Sequence, residues 1–243
     1  MLSNAARSLF DRCLHFAQRA WPAHCPLCGA ARSEGGAFCG GCAAALPALP
    51  AQRCRVCAIG LAAGELCGAC LDRPPYYDGV SAAYAYAFPV DALIHAYKYG
   101  GELSLAPVLG AALAQAASAE TDALVPMPLS DTRLRERGFN QALELARHAG
   151  RALGVAVRAR ACRKTRDTPP QAALPWAART RNVRGAFVCD EDFEGLRVAV
   201  VDDVMTTGAT VNELARNLKR AGAASVWVWV VARTLREHPA RGW

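Results

Sequence analysis

Short apolar runs along the chain alternate with stretches of helical spacing, and this pattern predicts an open parallel α/β sheet with helices on both faces. One helix is predicted from the segment 138–141 to about Leu153, and another is predicted to end near Ala221. Residues 79–118 are expected to form a small hood over the carboxyl ends of the strands. Five strands are predicted, near residues 79–87, 122–126, 155–158, 197–201 and 225–233.

The amino-terminal third of the chain has a different pattern. Apolar positions within residues 1–21 predict a short amphipathic helix, which packs on its own domain or lies on a membrane surface. Residues 22–75 are rich in Ala, Gly and Pro and supply few large apolar side chains for a core. The chain is therefore predicted to consist of a helix at 1–21, a small domain at 22–75 and an α/β domain at 76–243.

Composition places the chain among globular proteins. Of its 243 residues, 53% are hydrophobic and 20% are charged, which excludes disordered and collagen-like classes. Its uncharged stretches are too short and too rich in small residues for a membrane-spanning helix, and charged residues interrupt the apolar positions near the amino terminus. We therefore expect a cytoplasmic protein, either free or attached to the inner face of the membrane.

The positive charge is concentrated in one segment. Residues 158–184 contain eight basic residues and one acid, an excess of seven that equals the formal net charge of +7 for the whole chain. The prolines of this segment indicate a long loop. A basic loop with Trp176 inside it and Phe187 just beyond it is the pattern expected of a single-stranded nucleic-acid binder, although a basic run is often only a solvated face.

Cysteines supply the most regular spacing in the chain. Eight of the 11 cysteines form four successive C-x-x-C pairs within residues 25–70, and such a pair is typical of a turn that brings two thiolates to one metal ion. These eight residues are Cys25, Cys28, Cys39, Cys42, Cys54, Cys57, Cys67 and Cys70. The remaining Cys13, Cys162 and Cys189 are interpreted as ordinary small apolar residues.

Two structural zinc ions per chain would use all eight paired cysteines. Four thiolates fill a tetrahedral zinc site and leave no position for a catalytic water. Either successive pairs share an ion, which joins 25–28 to 39–42 and 54–57 to 67–70, or the two sites are cross-braced. A disulfide framework is the competing interpretation, and the lack of a predicted export signal disfavours it.

Residues 197–213 predict a strand, a turn and a helix with the chemistry of a sugar-phosphate site. Asp202 and Asp203 follow the apolar strand residues, at the edge of a parallel sheet where ligands bind. Carboxylates repel phosphate but suit sugar hydroxyls or Mg²⁺, whereas backbone N–H groups at the start of a helix suit phosphate. The segment therefore predicts a site for a ribose 5-phosphate. The turn residues are Thr206, Thr207, Gly208, Ala209 and Thr210.

These motifs resemble those of a known family. VVDDVMTTGAT at 200–210 resembles the phosphoribosyl pyrophosphate (PRPP) motif of type I phosphoribosyltransferases. Together with ALVPMPLSDTRLRERGFNQA at 123–142, RTRNVRGAF at 179–187 and the four C-x-x-C pairs, it resembles the ComF family of competence-associated proteins. The resemblance extends over most of the chain, and it implies a double zinc ribbon followed by a phosphoribosyltransferase-like domain.

The resemblance also implies roles for individual residues. The acids at 202–203 would bind the ribose hydroxyls as the catalytic residues. The turn at 206–210 would bind the 5-phosphate of PRPP, with Mg²⁺ bound alongside. Four further residues are candidates for contacts with the pyrophosphate or another part of the ligand: Pro126, Met127, Arg137 and Lys98.

Two kinds of function fit the sequence. An enzyme would transfer the phosphoribosyl group of PRPP to an acceptor base, with the basic loop closed over the substrate. A nucleic-acid-binding or partner-docking protein would instead use the same pocket as a non-catalytic ligand sensor. For either one, the resemblance implies a role in the use of imported DNA, with single-stranded DNA as a ligand and a DNA-uptake helicase or motor as a partner of the zinc ribbons.

Overall fold

In a computed structural model of the chain, the structure describes residues 24–32, 37–166 and 183–235. The predicted helix at 1–21 lies outside the described residues, as do Trp176, Arg179 and Arg181 of the basic segment. The chain divides into two compact units, Met1–Ala45 and Leu46–Trp243. None of the helices within the described ranges has the length and apolar character needed to cross a membrane.

The smaller unit has little regular structure in its described part. His24 pairs with Ala31 in an antiparallel bridge, and helix α1 spans Gly40–Ala44. Cys39 caps this helix, since its Sγ accepts a hydrogen bond from the Cys42 N–H at 3.5 Å. A unit of this size supplies little apolar core, so a bound metal would have to provide much of its stability.

The larger unit alternates strands and helices. A short helix, α2 (Gly68–Asp72), precedes the α/β part. The strands are β1 (Gly79–Ala85), β2 (Ala123–Pro126), β3 (Ala156–Val157), β4 (Cys162–Lys164), β5 (Phe187–Cys189), β6 (Arg197–Met205) and β7 (Ser225–Arg233). The remaining helices are α3 (Val90–Tyr99), α4 (Ala106–Ala116), α5 (Asp131–Arg137), α6 (Gln141–Leu153) and α7 (Ala209–Arg220).

Five strands form one parallel sheet in the order β1-β7-β6-β2-β3. The consecutive β6 residues Val198, Ala199, Val200 and Val201 are all fully buried. Because consecutive strand residues point to opposite faces, both faces of the sheet must be covered. Helices α4 and α6 pack against each other and the sheet, and α7 packs against β6 and β7. The predicted open parallel sheet with helices on both faces is confirmed.

Strand β6 is longer than the sequence predicts. The apolar run indicated an end near Val201, but β7 pairs with β6 as far as Met205, which lies opposite Arg233. Strand β2 stops earlier, with Pro126 opposite Val201. Proline has no N–H to donate, and a second proline follows at 128, so β2 does not accompany β6 further. Residues 202–205 of β6 therefore extend beyond β2, and we call them the overhang.

Residues 79–118 do not form the predicted hood as a whole. Strand β1 confirms the strand predicted near 79–87 and is an edge strand of the main sheet, paired in parallel with β7. Helix α4 packs against α6 and β1. Helix α3 reaches the carboxyl edge of the sheet, where Lys98 near its end contacts Asp203 of the overhang.

A separate two-stranded antiparallel sheet joins β4 and β5. Cys162 and Cys189 lie directly opposite each other in it, with their Sγ atoms 3.0 Å apart. Both cysteines pack in the apolar core, as expected of small apolar residues, but their proximity to each other was not predicted from the sequence. The contact depends on antiparallel pairing between two distant segments, which neither local spacing nor a C-x-x-C pattern reveals.

Candidate functional site

In the smaller unit, four cysteines lie around one point. The Sγ atoms of Cys25, Cys28, Cys39 and Cys42 all lie within 4.8 Å of one another, and we call this set the first cluster. Gly29 permits the turn, because its φ of +72° is left-handed while its N–H donates to the Cys25 carbonyl at 2.8 Å. Four thiols at this spacing form a complete tetrahedral donor set for zinc.

The larger unit holds a second cluster of the same composition. The Sγ atoms of Cys54, Cys57, Cys67 and Cys70 again lie within 4.8 Å of one another. The turn repeats that of the first cluster, since Ala58 has a φ of +58° and its N–H donates to the Cys54 carbonyl at 2.9 Å. The eight cysteines are thus grouped as successive pairs, and the cross-braced alternative does not occur.

Hydrogen bonding within the second cluster favours a thiolate. A hydrogen bond from the Cys70 thiol lowers the pKa of Cys57 to about 4, against the opposing effect of burial. The same interaction raises the pKa of Cys70. Because zinc binds the thiolate form of cysteine, this donor set suits a metal that displaces the remaining thiol protons on binding.

Two carboxylates lie on the overhang of β6. Asp202 is half-buried, and Asp203 is only 4% exposed. Lys98, in the last turn of α3, forms an ion pair with Asp203, with its Nζ 2.7 Å from Oδ2 and donating to Oδ1 at 2.9 Å. The two predicted site residues Lys98 and Asp203 are therefore brought together, although 105 positions separate them in the chain.

Burial and neighbouring charges shift the pKa values of Asp202 and Lys98. Burial raises the pKa of Asp202 from 3.8 to about 7, and the negative charge of Asp203 adds to the shift while Lys98 opposes it. Burial on its own lowers the pKa of Lys98, but the charges of Asp203 and Asp202 outweigh it, so that this pKa is raised. The site therefore holds one firm ion pair and one carboxyl that titrates near neutral pH.

The turn at 206–210 leads from the overhang into α7. Gly208 precedes the helix with a φ of +78°, and a Cβ there would lie 2.6 Å from Met205 Cε. The Ala209 N–H donates to Thr207 Oγ1 at 3.1 Å. Backbone N–H groups at the positive end of a helix of this length attract an anion, and glycine allows the anion to approach closely.

A cavity of about 350 Å³ opens beside Lys98. Three basic side chains and one carboxylate line it, so its potential favours anions. The Arg137 guanidinium also stacks over Tyr99, with 5.2 Å between Cζ and the ring centre. The lining residues are Lys98, Tyr99, Gly100, Gly101, Arg133, Glu136, Arg137 and Phe139.

The residues predicted for a pyrophosphate loop take part in strand β2 and in the buried core beside it. Pro126 ends β2, and Met127 is buried. The Met127 N–H donates to the Val201 carbonyl at 2.8 Å, and its carbonyl accepts from Asn140 Nδ2 at 3.1 Å. Asn140 also caps α6 by accepting from the Leu143 N–H at 3.3 Å. The Met127 N–H is thus already committed to another backbone group.

The described part of the basic segment is partly neutralised. Arg158 pairs with Glu191 at 3.3 Å, and Arg163 pairs with Asp190 at 2.8 Å. Phe187 is only 2% exposed, so the expectation that it stacks on bases is wrong.

Sequence reasoning missed one buried cation. Arg233, at the end of β7, is 1% exposed, and its Nε donates to the Cys57 carbonyl at 2.8 Å. Its Nη1 donates to the carbonyls of Met205 and Thr206. In the sequence it only ends an apolar run, and its partners lie 28 and 176 positions away, so no local signal marks it.

Family models match both parts of the chain. Residues 16–71 match a model described as a double zinc ribbon domain, and residues 140–241 match a phosphoribosyl transferase domain. The first match covers both cysteine clusters, which supports structural zinc at each of them. The second match covers β6, the 206–210 turn and α7.

Two relatives match most of the chain. DNA utilization protein YhgH of Salmonella typhi is 36% identical over an alignment of 196 residues that covers 76% of this chain and 86% of that protein. Competence protein F of Haemophilus influenzae is 31% identical over 208 residues, 81% and 90% of the two chains. Among solved structures, a glutamine PRPP amidotransferase from B. subtilis complexed with ADP and GMP is 26% identical, with a TM-score of 0.38 over 52% of this chain and 26% of that one.

Proposed function

The chain belongs to the ComF family, together with competence protein F and DNA utilization protein YhgH, and from this premise we propose that it binds PRPP and acts in the use of DNA. The observation that carries the proposal is the continuity of β6, its acidic overhang and the left-handed turn into α7. A sugar phosphate needs hydroxyl acceptors and an anion cradle next to each other, and these consecutive residues have both chemistries.

Each part of PRPP has a chemical counterpart among these residues. The 5-phosphate would be held by N–H groups and hydroxyls of the 206–210 turn. The ribose hydroxyls would donate to the carboxylates of Asp202 and Asp203, and these acids would also hold Mg²⁺ through oxygen ligands. The pyrophosphate would face the cavity that Lys98, Arg133 and Arg137 line.

Lys98 has two tasks in this proposal. Its ion pair compensates the buried carboxylate of Asp203, because an unpaired charge there would be costly. Its position on the cavity wall also brings positive charge to the side where pyrophosphate would lie. The residue would thus orient the acid that binds the ribose and stabilise the leaving anion, which is electrostatic rather than proton-transfer chemistry.

Calorimetry with PRPP and Mg²⁺ tests the binding. The wild-type chain is expected to bind, and the Asp202→Asn/Asp203→Asn variant to bind at least about tenfold more weakly, because amides are poorer acceptors and do not hold Mg²⁺. Glu120→Gln/Asp190→Asn is the matched control, since it removes the same number of carboxylates from exposed positions. Equal affinities of wild type and the Asp202/Asp203 variant would refute the proposed site.

A second assay separates a transferase from a sensor. In a transferase, a base nitrogen forms a bond to the ribose C1 carbon as the bond to pyrophosphate breaks, so pyrophosphate appears in solution. A panel of nucleobases with PRPP and Mg²⁺ tests for this product. Release with one base identifies that base as the acceptor, whereas binding of PRPP without release with any base supports a ligand sensor.

The role in DNA use is proposed from the names of the relatives. Expression of this chain in an Escherichia coli strain that lacks its YhgH protein is expected to restore growth on DNA as a nutrient. The Asp202→Asn/Asp203→Asn variant is expected to fail in the same strain if the pocket serves that role. Full growth with this variant would separate the pocket from DNA use.

Binding of single-stranded DNA is a second candidate function, favoured by the charge excess of segment 158–184. Affinity for an oligonucleotide would then fall steeply with salt, because counterions are released from the phosphates on binding. The Arg179→Ala/Arg181→Ala/Arg184→Ala variant is expected to bind more weakly and with a smaller salt slope. An affinity that does not change between low and high salt would exclude this mode.

A further inference from the structure

The buried side chain of Arg233 forms hydrogen bonds to three parts of the larger unit: the second cluster, the end of β6 with the following turn, and the residue that follows β7. Its Nε donates to the Cys57 carbonyl of the second cluster at 2.8 Å, and its Nη1 donates to the Thr234 carbonyl at 2.8 Å. The same Nη1 donates to the Met205 carbonyl at 3.1 Å and to the Thr206 carbonyl. No Asp or Glu within residues 24–32, 37–166 and 183–235 forms an ion pair with it, and the two N–H groups of Nη1 are shared among these carbonyl oxygens and the Thr234 Oγ1 at 3.3 Å.

These bonds set the direction of the peptide groups that begin the 206–210 turn. A trans peptide group points its carbonyl and its N–H in opposite directions. Because the Met205 and Thr206 carbonyls point to Arg233, the N–H groups of Thr206 and Thr207 point away from it. The Thr234 N–H also donates to the Met205 carbonyl at 3.1 Å, so Arg233 and the β7 backbone together hold these two donors of the turn in one orientation, with the positive charge of Arg233 behind them.

The remaining partner of Arg233 belongs to a metal ligand. The Sγ of Cys57 is one of the four donor atoms of the second cluster, and the next residue, Ala58, has a φ of +58°. Four ligands that share an ion fix the turn from Cys54 to Cys57, and the turn fixes the direction of the Cys57 carbonyl. A filled second cluster thus fixes this carbonyl toward Arg233, whereas in an empty one only hydrogen bonds such as that from the Ala58 N–H to the Cys54 carbonyl hold the turn.

We propose that Arg233 is a positioning residue that couples the second cluster to the 206–210 turn, so that affinity for a ribose 5-phosphate group depends on metal in this cluster. The inference rests on the proposed function, because it concerns the same phosphate site. In this proposal, a zinc ion in the second cluster would affect ligand affinity as well as folding. It also distinguishes the two clusters, which have the same composition of four cysteines in two C-x-x-C pairs.

Calorimetry with ribose 5-phosphate on the full zinc-loaded chain tests the coupling. Arg233→Lys keeps the positive charge but loses the planar fork that bonds several carbonyls at once. Cys70→Ser removes a ligand of the second cluster. Each variant is expected to bind about tenfold more weakly than wild type, and Cys28→Ser in the first cluster is expected to have a smaller effect than Cys70→Ser. Arg197→Lys, an exposed arginine at the other end of β6, is the matched control.

The double variant Arg233→Lys/Cys70→Ser distinguishes a shared path from two independent effects on the phosphate site. If both changes act through one path, the double variant binds about as weakly as either single variant. If they act independently, the losses multiply to about a hundredfold, which would overturn the coupling. All affinities are compared below the unfolding temperature of each variant.

A spectroscopic measurement does not depend on the stability of Cys70→Ser. In a Cys28→Ser chain loaded with Co²⁺, the visible absorption of the metal reports on the second cluster. Ribose 5-phosphate is expected to shift this absorption when Arg233 is present and to leave it unchanged when Arg233→Lys is added. An unshifted spectrum with Arg233 present, or full affinity in Arg233→Lys, overturns the coupling while the phosphate site stands. Failure of the wild-type chain to bind PRPP or ribose 5-phosphate overturns both.

Discussion

Asp202 and Asp203 are neighbours in the chain, but their electrostatic environments differ. Asp203 is compensated by the Nζ of Lys98, whereas Asp202 accepts only from the Asp203 N–H at 2.9 Å among the described contacts. Burial and the adjacent charge raise the pKa of Asp202 to about 7. The site thus contains a carboxylate that destabilises the protein when ionised and that a sugar hydroxyl or Mg²⁺ would compensate.

Asp202→Asn is expected to stabilise the free protein above pH 7. Because the folded pKa of about 7 exceeds the usual 3.8, the folded chain binds more protons between these values, and stability falls as pH rises through this window. The gain at pH 8 is expected to be about 2 kcal/mol, less than the full shift implies because solvent screens a half-buried group. Urea unfolding at pH 5 and pH 8 measures it, and a variant no more stable than wild type at pH 8 would contradict it.

Lys98→Met is expected to destabilise the protein by about 2 kcal/mol, because it leaves the buried Asp203 carboxylate without its cation. Lys98→Met/Asp203→Asn is expected to recover part of this loss, since it removes the uncompensated charge. Urea unfolding of the two single variants and the double variant at pH 7 completes the cycle. Strictly additive losses would show that the ion pair has no coupling energy.

At the scale of secondary structure, apolar periodicity predicted the elements well and their ends less well. The strands at 79–87 and 225–233 were found at Gly79–Ala85 and Ser225–Arg233, because both are apolar runs with clear limits. The end of β6 was missed because acidic residues are poor strand formers in isolation. Pairing with β7 and the cation of Lys98 overcome that preference, and both are tertiary interactions.

Gly208→Ala is expected to destabilise the start of α7 and to weaken PRPP binding about tenfold or more. Its φ of +78° is unfavourable for alanine, and the new Cβ would lie 2.6 Å from Met205 Cε. Gly154→Ala is the matched control, since Gly154 has a φ of +71° at the end of α6 with open space around it. Both variants lose about 1–2 kcal/mol to backbone strain, but we expect only Gly208→Ala to lose affinity in calorimetry.

At the scale of the whole molecule, the two cysteine clusters belong to different compact units. The second cluster contributes to the core of the larger unit, where Cys54, Cys57 and Ile59 are buried together with Tyr77. The spacing of the cysteines was sufficient to predict two four-cysteine sites. The packing of the second cluster into the α/β core could not be predicted, because the sequence pattern of residues 22–75 does not indicate which residues they contact.

Metal removal is expected to act differently on the two units. Native mass spectrometry of the intact chain is expected to find two zinc ions. Cys54→Ser is expected to lower the main unfolding temperature by about 10 °C, because it empties a site within the larger core. Cys25→Ser is expected to leave that transition within about 2 °C, since its cluster lies in the smaller unit. Equal shifts in scanning calorimetry would refute this assignment of the second cluster.

The contacts that complete the candidate site all join distant parts of the chain. Lys98 meets Asp203 across 105 positions, and Arg233 meets Cys57 across 176. Local motifs predicted the carboxylates, the turn and the cysteines as candidates, because their chemistry lies in neighbouring residues. They did not identify what compensates or orients these groups, because that information exists only after the sheet has formed.

The unequal lengths of β2 and β6 have a consequence for the carboxyl edge of the sheet. The Met127 N–H donates to the Val201 carbonyl at 2.8 Å, and it lies between two prolines that have no N–H to donate. Pairing between the two strands therefore ends at Val201. Two imino acids outside the conspicuous motif thus leave the overhang without a partner strand on the side of β2.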